Sequence, residues 1–445
     1  MTLTDVLMND GKLCACGRKH YALLKKAVIE DGAINKIPDI VKGEGAESVF
    51  MLCDLNTYGS AGEKVERLLT DAGITVKKYV FPTDEIIEPD EKAVGSAVMH
   101  YENADMIIGV GSGVINDLGK TVDVIADKTY MIVGTAPSMD GYASGTVSMV
   151  RDGHKTTIKT KCPEIIIGDL DVLSEAPIDM LRAGVGDILA KYISICEWRI
   201  GTVVKDEAYC EAAANMVKEA LHQVVSNAEK LMKRDHTVVK AVMEGLILSG
   251  IAINYAESTR VVSGAEHYYS HLWDMRGLEF GTPVHLHGIQ CGTATIEVMR
   301  AYEILKRITP DREKALSYVK NFDVDSYNEK LRAFVGHGSE PMIELEKKEK
   351  KYTVPEHTAR LDKIINGWDK IIAIINEEIP LDKALEAINV IGAPSSGEQL
   401  GKTSEIMAKS FVFSKDIRDK YVVSRLAFDL GVIDEIALEL YGTTV

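Results

Sequence analysis

Between residues 48 and 169 the chain alternates short apolar runs with amphipathic stretches, and this alternation limits the fold more than any other feature. From Ser48 the run V-F-M-L-C-D reads as a buried strand, followed by a helix over Glu63 to Ala72 and a strand over Val76 to Phe81. A helix near Glu91 to Tyr101 leads to the strand M-I-I-G-V (Met106 to Val110). A glycine loop, a helix over Val114 to Ala126 and the strand Y-M-I-V-G-T (Tyr130 to Thr135) come next, and E-I-I-I-G-D (Glu164 to Asp169) supplies one more strand. Strands joined through helices pair in parallel, so the expectation is an α/β N-terminal domain with a doubly wound, mostly parallel sheet. Around Ser148 to Lys161, M-V-R-D-G-H-K-T-T-I-K places Asp152-Gly153 between β-prone stretches and predicts a hairpin beside the cleft.

After Pro177 the apolar spacing turns helical, over Ala208 to Lys233, Val238 to Tyr255, Gln290 to Arg307, Arg312 to Phe322 and Ile364 to Glu377. A chain of 445 residues exceeds what one core supports. Two domains are therefore expected, residues 1–175 as the α/β domain and residues 176–445 as an all-helical C-terminal domain. The run E-L-E-K-K-E-K-K-Y (Glu344 to Tyr352) mixes both charge signs at helical spacing and reads as a solvated surface helix.

A net charge of −16 argues against nucleic acid as a partner, since phosphate backbones need basic surface. An anionic substrate must then meet a local basic pocket. No apolar run reads as long enough to cross a membrane, and M-T-L-T-D-V-L-M-N-D lacks the basic and apolar segments of a secretory signal, so a cytoplasmic protein without a membrane partner is expected. Seven scattered cysteines are no disulfide framework. Cys14, Cys16 and His20 in C-A-C-G-R-K-H stand close together but lack a fourth ligand and the usual two-residue cysteine spacing, and read as a structural turn.

In G-V-G-S-G-V-I-N-D-L-G-K a strand gives way to a tight turn at Gly111 and Gly113 and then to a helix, whose first amides can receive a pyrophosphate. The pattern is G-x-G-x-G, after the third predicted strand. Asp117 and Lys120 lie in the same helix, and a second strand-to-loop edge, Thr135 to Ser138, can line the same crevice. Asp54, at the end of the first predicted strand, is placed to accept hydrogen bonds from ribose hydroxyls and to disfavour a 2′-phosphate.

Four of the eleven histidines fall between Ser263 and Gly288. His267 and His271 are one helical turn apart, a spacing that suits a divalent metal. His287 follows a turn carrying Gly277, Gly281 and Pro283, and alternates with His285 so that, if extended, one of the two faces the site. Spacing alone pairs His267 with His271. The best third ligand is Asp187, after Gly184 and Gly186 in L-R-A-G-V-G-D-I-L-A-K-Y.

The motifs G-V-G-S-G-V-I-N-D-L-G-K, T-A-P-S-M-D-G-Y-A-S, G-D-I-L-A-K-Y, S-G-A-E-H-x-x-S-H and H-L-H-G occur in this order within residues 48 to 292. Together they resemble the sn-glycerol-1-phosphate dehydrogenase family, in the superfamily of dehydroquinate synthase and the iron-type alcohol dehydrogenases. The resemblance implies a dehydroquinate synthase-like fold, with dinucleotide on the first domain and metal and substrate on the second. It implies metal ligands Asp187, His267 and His287, with His271 and Asp140 beside the substrate and Asp187 and His271 in the chemistry. It also implies dinucleotide contacts from Gly113, Val114, Ile115, Asn116, Asp117, Thr135, Ala136, Pro137, Ser138 and Ser144, joining Gly111 and Asp54.

The expected reaction is reversible reduction of dihydroxyacetone phosphate to sn-glycerol 1-phosphate, an oxidoreductase step of phospholipid metabolism. NAD is the expected cofactor, NADP an alternative, and one divalent metal is expected, zinc or nickel with iron as a further option. Lys155, Lys159 and Arg260 are the candidate phosphate donors. A homodimer or larger homo-oligomer is expected. The competing readings are glycerol dehydrogenase, a dehydroquinate synthase-like cyclising lyase and, from another class, a non-catalytic metal-binding protein.

Overall fold

The computed structural model describes residues 2–8, 11, 13–151 and 154–445. They form two compact units, Met1–Ile188 with Asn215–Ser258, and Leu189–Ala214 with Thr259–Val445. Residue 175 lies within the first unit.

The first unit is built on a parallel sheet of β1 (Lys26–Glu30), β2 (Ser48–Asp54), β3 (Thr75–Phe81), β4 (Met106–Gly111), β5 (Thr129–Gly134) and β8 (Ile165–Asp169), in the order β1-β8-β5-β4-β2-β3. Every residue of β4 is buried, which is why M-I-I-G-V-G carries no polar alternation. Valines and isoleucines of β2, β4, β5 and β8 share one core with α1 (Ile37–Gly43) and α2 (Glu63–Asp71). Between β6 (Thr146–Arg151) and β7 (His154–Lys159) the pairing is antiparallel, as expected of a hairpin. Its Asp152-Gly153 turn lies outside the described residues.

Strand β1 is absent from the sequence-based expectation. It is five residues long, on the sheet edge, and only Ile29 is deeply buried, so K-A-V-I-E carries little apolar signal. Asp54 consequently ends the second strand of the chain, not the first.

Helices α3 (Glu91–Met99), α4 (Gly113–Ala126), α5 (Leu170–Ser174) and α6 (Ile178–Leu189) follow, then α7 (Lys191–Val204), α8 (Glu211–Ser226) and α9 (His236–Ala256). Contrary to expectation, α9 is long and apolar enough to cross a membrane by length and composition. Two-thirds of its most apolar stretch is buried, and it packs against β1 and α5, as a core helix of the first unit does.

The second unit is helical, with α7, α10 (Ala265–Phe280), α11 (His287–Leu305) and further helices to Tyr441. Two expectations need correction there. The stretch from Ile364 to Glu377 is two helices, Val354–Asn366 and Trp368–Glu378, broken at Gly367. The charged run at Glu344 is not wholly solvated: Glu346, Lys351 and Tyr352 are buried, and the Lys351 ammonium donates to the Arg418 carbonyl at 2.8 Å.

Candidate active site

The candidate residues are distributed over both units. In the first, β4 ends at Gly111, where a Cβ would stand 2.5 Å from the Cβ of Ile115, so only glycine lets the chain turn back onto the first turn of α4. Ser112 precedes α4 and makes no side-chain cap. Its hydroxyl instead lies 2.6 Å from that of Ser138, tying the β4 and β5 loops together. The first amides of α4 are therefore left to another acceptor, an arrangement that fits a pyrophosphate.

Thr135, Ala136, Pro137 and Ser138 directly follow β5, so the parallel ladder puts both loops at the same carboxyl edge of the sheet. Val114 is half-buried, while Ile115, Asn116 and Asp117 are buried. Asp117 accepts from the Ser148 amide at 3.0 Å and pairs with Lys120 at 3.5 Å. Burial raises the Asp117 pKa and lowers that of Lys120, each opposed by the other's charge. Lys120 also donates to the Gly141 and Thr146 carbonyls at 2.6 and 3.2 Å, and Ser144 donates to the same pair at 3.1 and 3.0 Å. This buried network holds the Asp140 loop in place. Asp54 caps the following turn, its Oδ1 accepting from the Thr57 amide at 2.8 Å.

Gly184 explains the position of Asp187. A Cβ there would stand 1.9 Å from the Pro137 carbonyl oxygen, so α6 approaches the β5 loop as closely as backbone permits. One turn on, buried Asp187 accepts from the Asp140 amide at 2.9 Å.

In the second unit, α10 and α11 pack together and bring the histidines side by side. The rings of His267 and His287 are 5.1 Å apart, whereas His271 stands 6.5 Å from His267 and 6.3 Å from His287. Donor atoms of His267, His287 and Cys291 lie within 4.8 Å of one another. Nδ1 of His267 is 2.8 Å from Oε1 of buried Glu266. A carboxylate only accepts, so Nδ1 carries the proton and Nε2 the lone pair a metal requires. Nδ1 of His287 faces the Ser270 hydroxyl at 3.2 Å, and Gln290 bridges Ser270 and Asp274 at 3.0 and 2.8 Å. This donor set fits a divalent cation.

His285 is exposed and turns to the Leu400 carbonyl at 3.3 Å, whereas His287 opens α11 and stands 5.1 Å from His267, so the two are not the alternating positions of one strand. Beneath α10, Glu197 accepts from the amides of Ala265 and Val423 at 2.9 and 2.8 Å, and burial, together with neighbouring Glu266, pushes its carboxyl up to about 8. Arg260 is buried, with Nε 2.6 Å from Glu207 and Nη1 donating to the Tyr421 carbonyl at 2.9 Å, which makes it a structural cation. Lys155 and Lys159 are exposed on β7.

Residues 28–177 match the family model described as iron-containing alcohol dehydrogenase. Glycerol-1-phosphate dehydrogenase (NAD(P)+) of Halalkalibacterium halodurans is 33% identical over 294 residues, covering 65% of this chain and 74% of the relative. Its Bacillus subtilis counterpart is 31% identical over 302 residues, covering 66% and 77%. The chain belongs to the glycerol-1-phosphate dehydrogenase family. Among solved structures, a probable glycerol dehydrogenase from Sinorhizobium meliloti matches with a TM-score of 0.61 at 14% identity, covering 94% of this chain and 97% of that one. It shares with this family member the iron-type alcohol dehydrogenase fold.

Sequence reasoning did not find Glu266, Ser270 or Cys291 in this family member's site. Cys291 had a signal, four residues after His287 on one helix, and Glu266 directly precedes a candidate ligand.

Proposed function

We propose that this chain catalyses the reversible reduction of dihydroxyacetone phosphate to sn-glycerol 1-phosphate with NAD(H), using one divalent metal, zinc or nickel, held by Asp187, His267 and His287. The observation that carries the reading is the His267–His287 pair with the Glu266 carboxylate fixing the His267 tautomer. The family's relatives support the substrate. In this reading residues 1–175 bind dinucleotide, residues 176–445 bind metal and substrate, and the protein works as a cytoplasmic homo-oligomer.

When bound, the nicotinamide supplies the hydride and the metal supplies Lewis acidity at the carbonyl oxygen. Amides of Gly113 and Val114 at the start of α4 receive the pyrophosphate, and Thr135 to Ser138 line the same edge. Asn116, Asp117 and Ser144 act through the loop they hold. Asp140 accepts a hydrogen bond from a substrate hydroxyl, its backbone fixed by Asp187. His271 would hold the substrate or pass a proton to its oxygen on reduction and take it back on oxidation. Lys155 and Lys159 are the phosphate donors; Arg260, spent on Glu207, is not.

Asp54 accepts the ribose hydroxyls and selects NAD. Asp54→Gly weakens the cap by only a few tenths of a kcal/mol, so a relaxed preference for NADH over NADPH, read as the ratio of kcat/KM for the two cofactors, reports selection and not unfolding. A wild type equally efficient with both removes Asp54 from that role.

Stereochemistry tests the function. With the oxygen and the phosphate both fixed, only one enantiomer aims its C2 hydrogen at the nicotinamide. Oxidation of sn-glycerol 1-phosphate with NAD should be fast, that of sn-glycerol 3-phosphate absent, and glycerol a poor substrate because it loses the binding energy of the phosphate. Equal rates on both phosphate esters, or faster oxidation of glycerol, would overturn the assignment.

A further inference from the structure

The segment C-A-C-G-R-K-H is closed into a tight loop within the first unit. Leu13 and Lys19 form an antiparallel bridge, the Cys14 amide donates to the Arg18 carbonyl at 2.8 Å, and the Gly17 amide donates to the Cys14 carbonyl at 2.9 Å. Gly17 sits at a φ of 83°, where a side chain would be strained. The closure draws the donor atoms of Cys14, Cys16 and His20 within 4.8 Å of one another, with Cys16 Sγ 3.2 Å from His20 Nε2. A sulfur and a nitrogen on one tetrahedral zinc, about 2.3 and 2.0 Å from the ion, stand roughly 3.5 Å apart. The loop is therefore near ligand geometry.

Its supports aim at the same point. The buried His20 ring stacks on Tyr255 of α9, centroids 4.6 Å apart and planes 11° apart, which fixes the imidazole plane. Arg18 anchors the loop to the end of the same helix, donating to the Ala256 carbonyl at 3.3 Å and pairing with Glu257 at 3.0 Å. A plain turn needs neither two thiols nor an imidazole facing them, and no disulfide occurs among the described residues.

We propose that Cys14, Cys16 and His20 bind a structural zinc ion that staples the amino-terminal segment to the end of α9. Two thiols give up their protons and the imidazole donates its lone pair, so two thiolates balance the charge of the ion. Water or a further side chain completes the tetrahedron.

The test does not depend on the proposed reaction. Elemental analysis of the purified full-length protein should find one zinc per chain that survives His287→Ala and is lost in Cys14→Ser and Cys16→Ser. Should the cysteine variants not fold, the wild type decides: cobalt(II) taken up in place of zinc should give a thiolate-to-metal charge-transfer absorption that persists in Cys291→Ser, and a chelator should speed alkylation of Cys14 and Cys16 many-fold. Zinc content unchanged in folded Cys14→Ser and Cys16→Ser, or alkylation at the same rate with and without chelator, would overturn the proposal.

Discussion

The imidazole Nδ1 of His267 donates to Oε1 of its chain neighbour Glu266 across 2.8 Å, inside the core of the second unit. Oε1 also accepts from the Gly264 amide at 2.8 Å, so the carboxylate is itself held and the ring can turn little. Partners of this kind are worth about 10- to 100-fold in metal affinity. Glu266→Gln should weaken metal binding within that range in a chelator competition titration while leaving the fold intact by circular dichroism. Unchanged affinity would mean that Glu266 only caps α10.

His287→Ala should remove the metal of the candidate active site and nearly all turnover, with NADH binding retained by fluorescence titration. His271→Ala should keep the metal and lose rate. Elemental analysis of the two variants separates the roles, and metal loss in His271→Ala alone would return the pairing to the one helical spacing suggests.

Gly184→Ala should cost about 1–3 kcal/mol, as overpacking does. The added methyl meets the Pro137 carbonyl, a backbone group that cannot turn aside. Because Asp187 is on the same helix and holds the Asp140 amide, turnover should fall more than stability alone explains. Calorimetry and steady-state kinetics on the same preparation check both. A variant with the wild-type melting temperature would show that the loop yields.

A pH effect follows from Lys415, buried beside Asp416, Lys351 and Arg425 with its ammonium 4.0 Å from the Tyr327 ring centroid. Burial lowers its pKa from 10.5 to about 7. Between these values the unfolded chain binds the extra proton, so stability rises with pH across that window, and below it the penalty is constant. Lys415→Met should flatten the rise in melting temperature between about pH 7 and pH 10. Asp416 keeps Arg425 at 2.7 Å, so the buried carboxylate is not orphaned. Parallel pH profiles for wild type and variant would refute this assignment.

The sheet strands and most of the helices were legible in the sequence because periodicity is local: V-F-M-L-C-D and M-I-I-G-V-G are short apolar runs of strand length, and the glycine turn between β4 and α4 is written in consecutive residues. Strand β1 was not legible, since a half-exposed edge strand has no run of apolar residues to announce it. The clustering of His267, His271 and His287 was likewise visible, since all three fall within one short stretch of the chain.

Pairing was not. Helical spacing puts His271 one turn from His267, but the packing of α10 against α11 brings His287 nearer, at 5.1 Å against 6.5 Å. The same holds for charge. Arg260 looks like an anion donor in the sequence, yet it is held by Glu207, and Lys120, beside the glycine turn, is buried among the carbonyls of the Asp140 loop. Local sequence decides which residues are polar and where the chain turns; only the packing of distant segments decides which of them meet, because a side chain's partner is set by distance through space and not by separation along the chain.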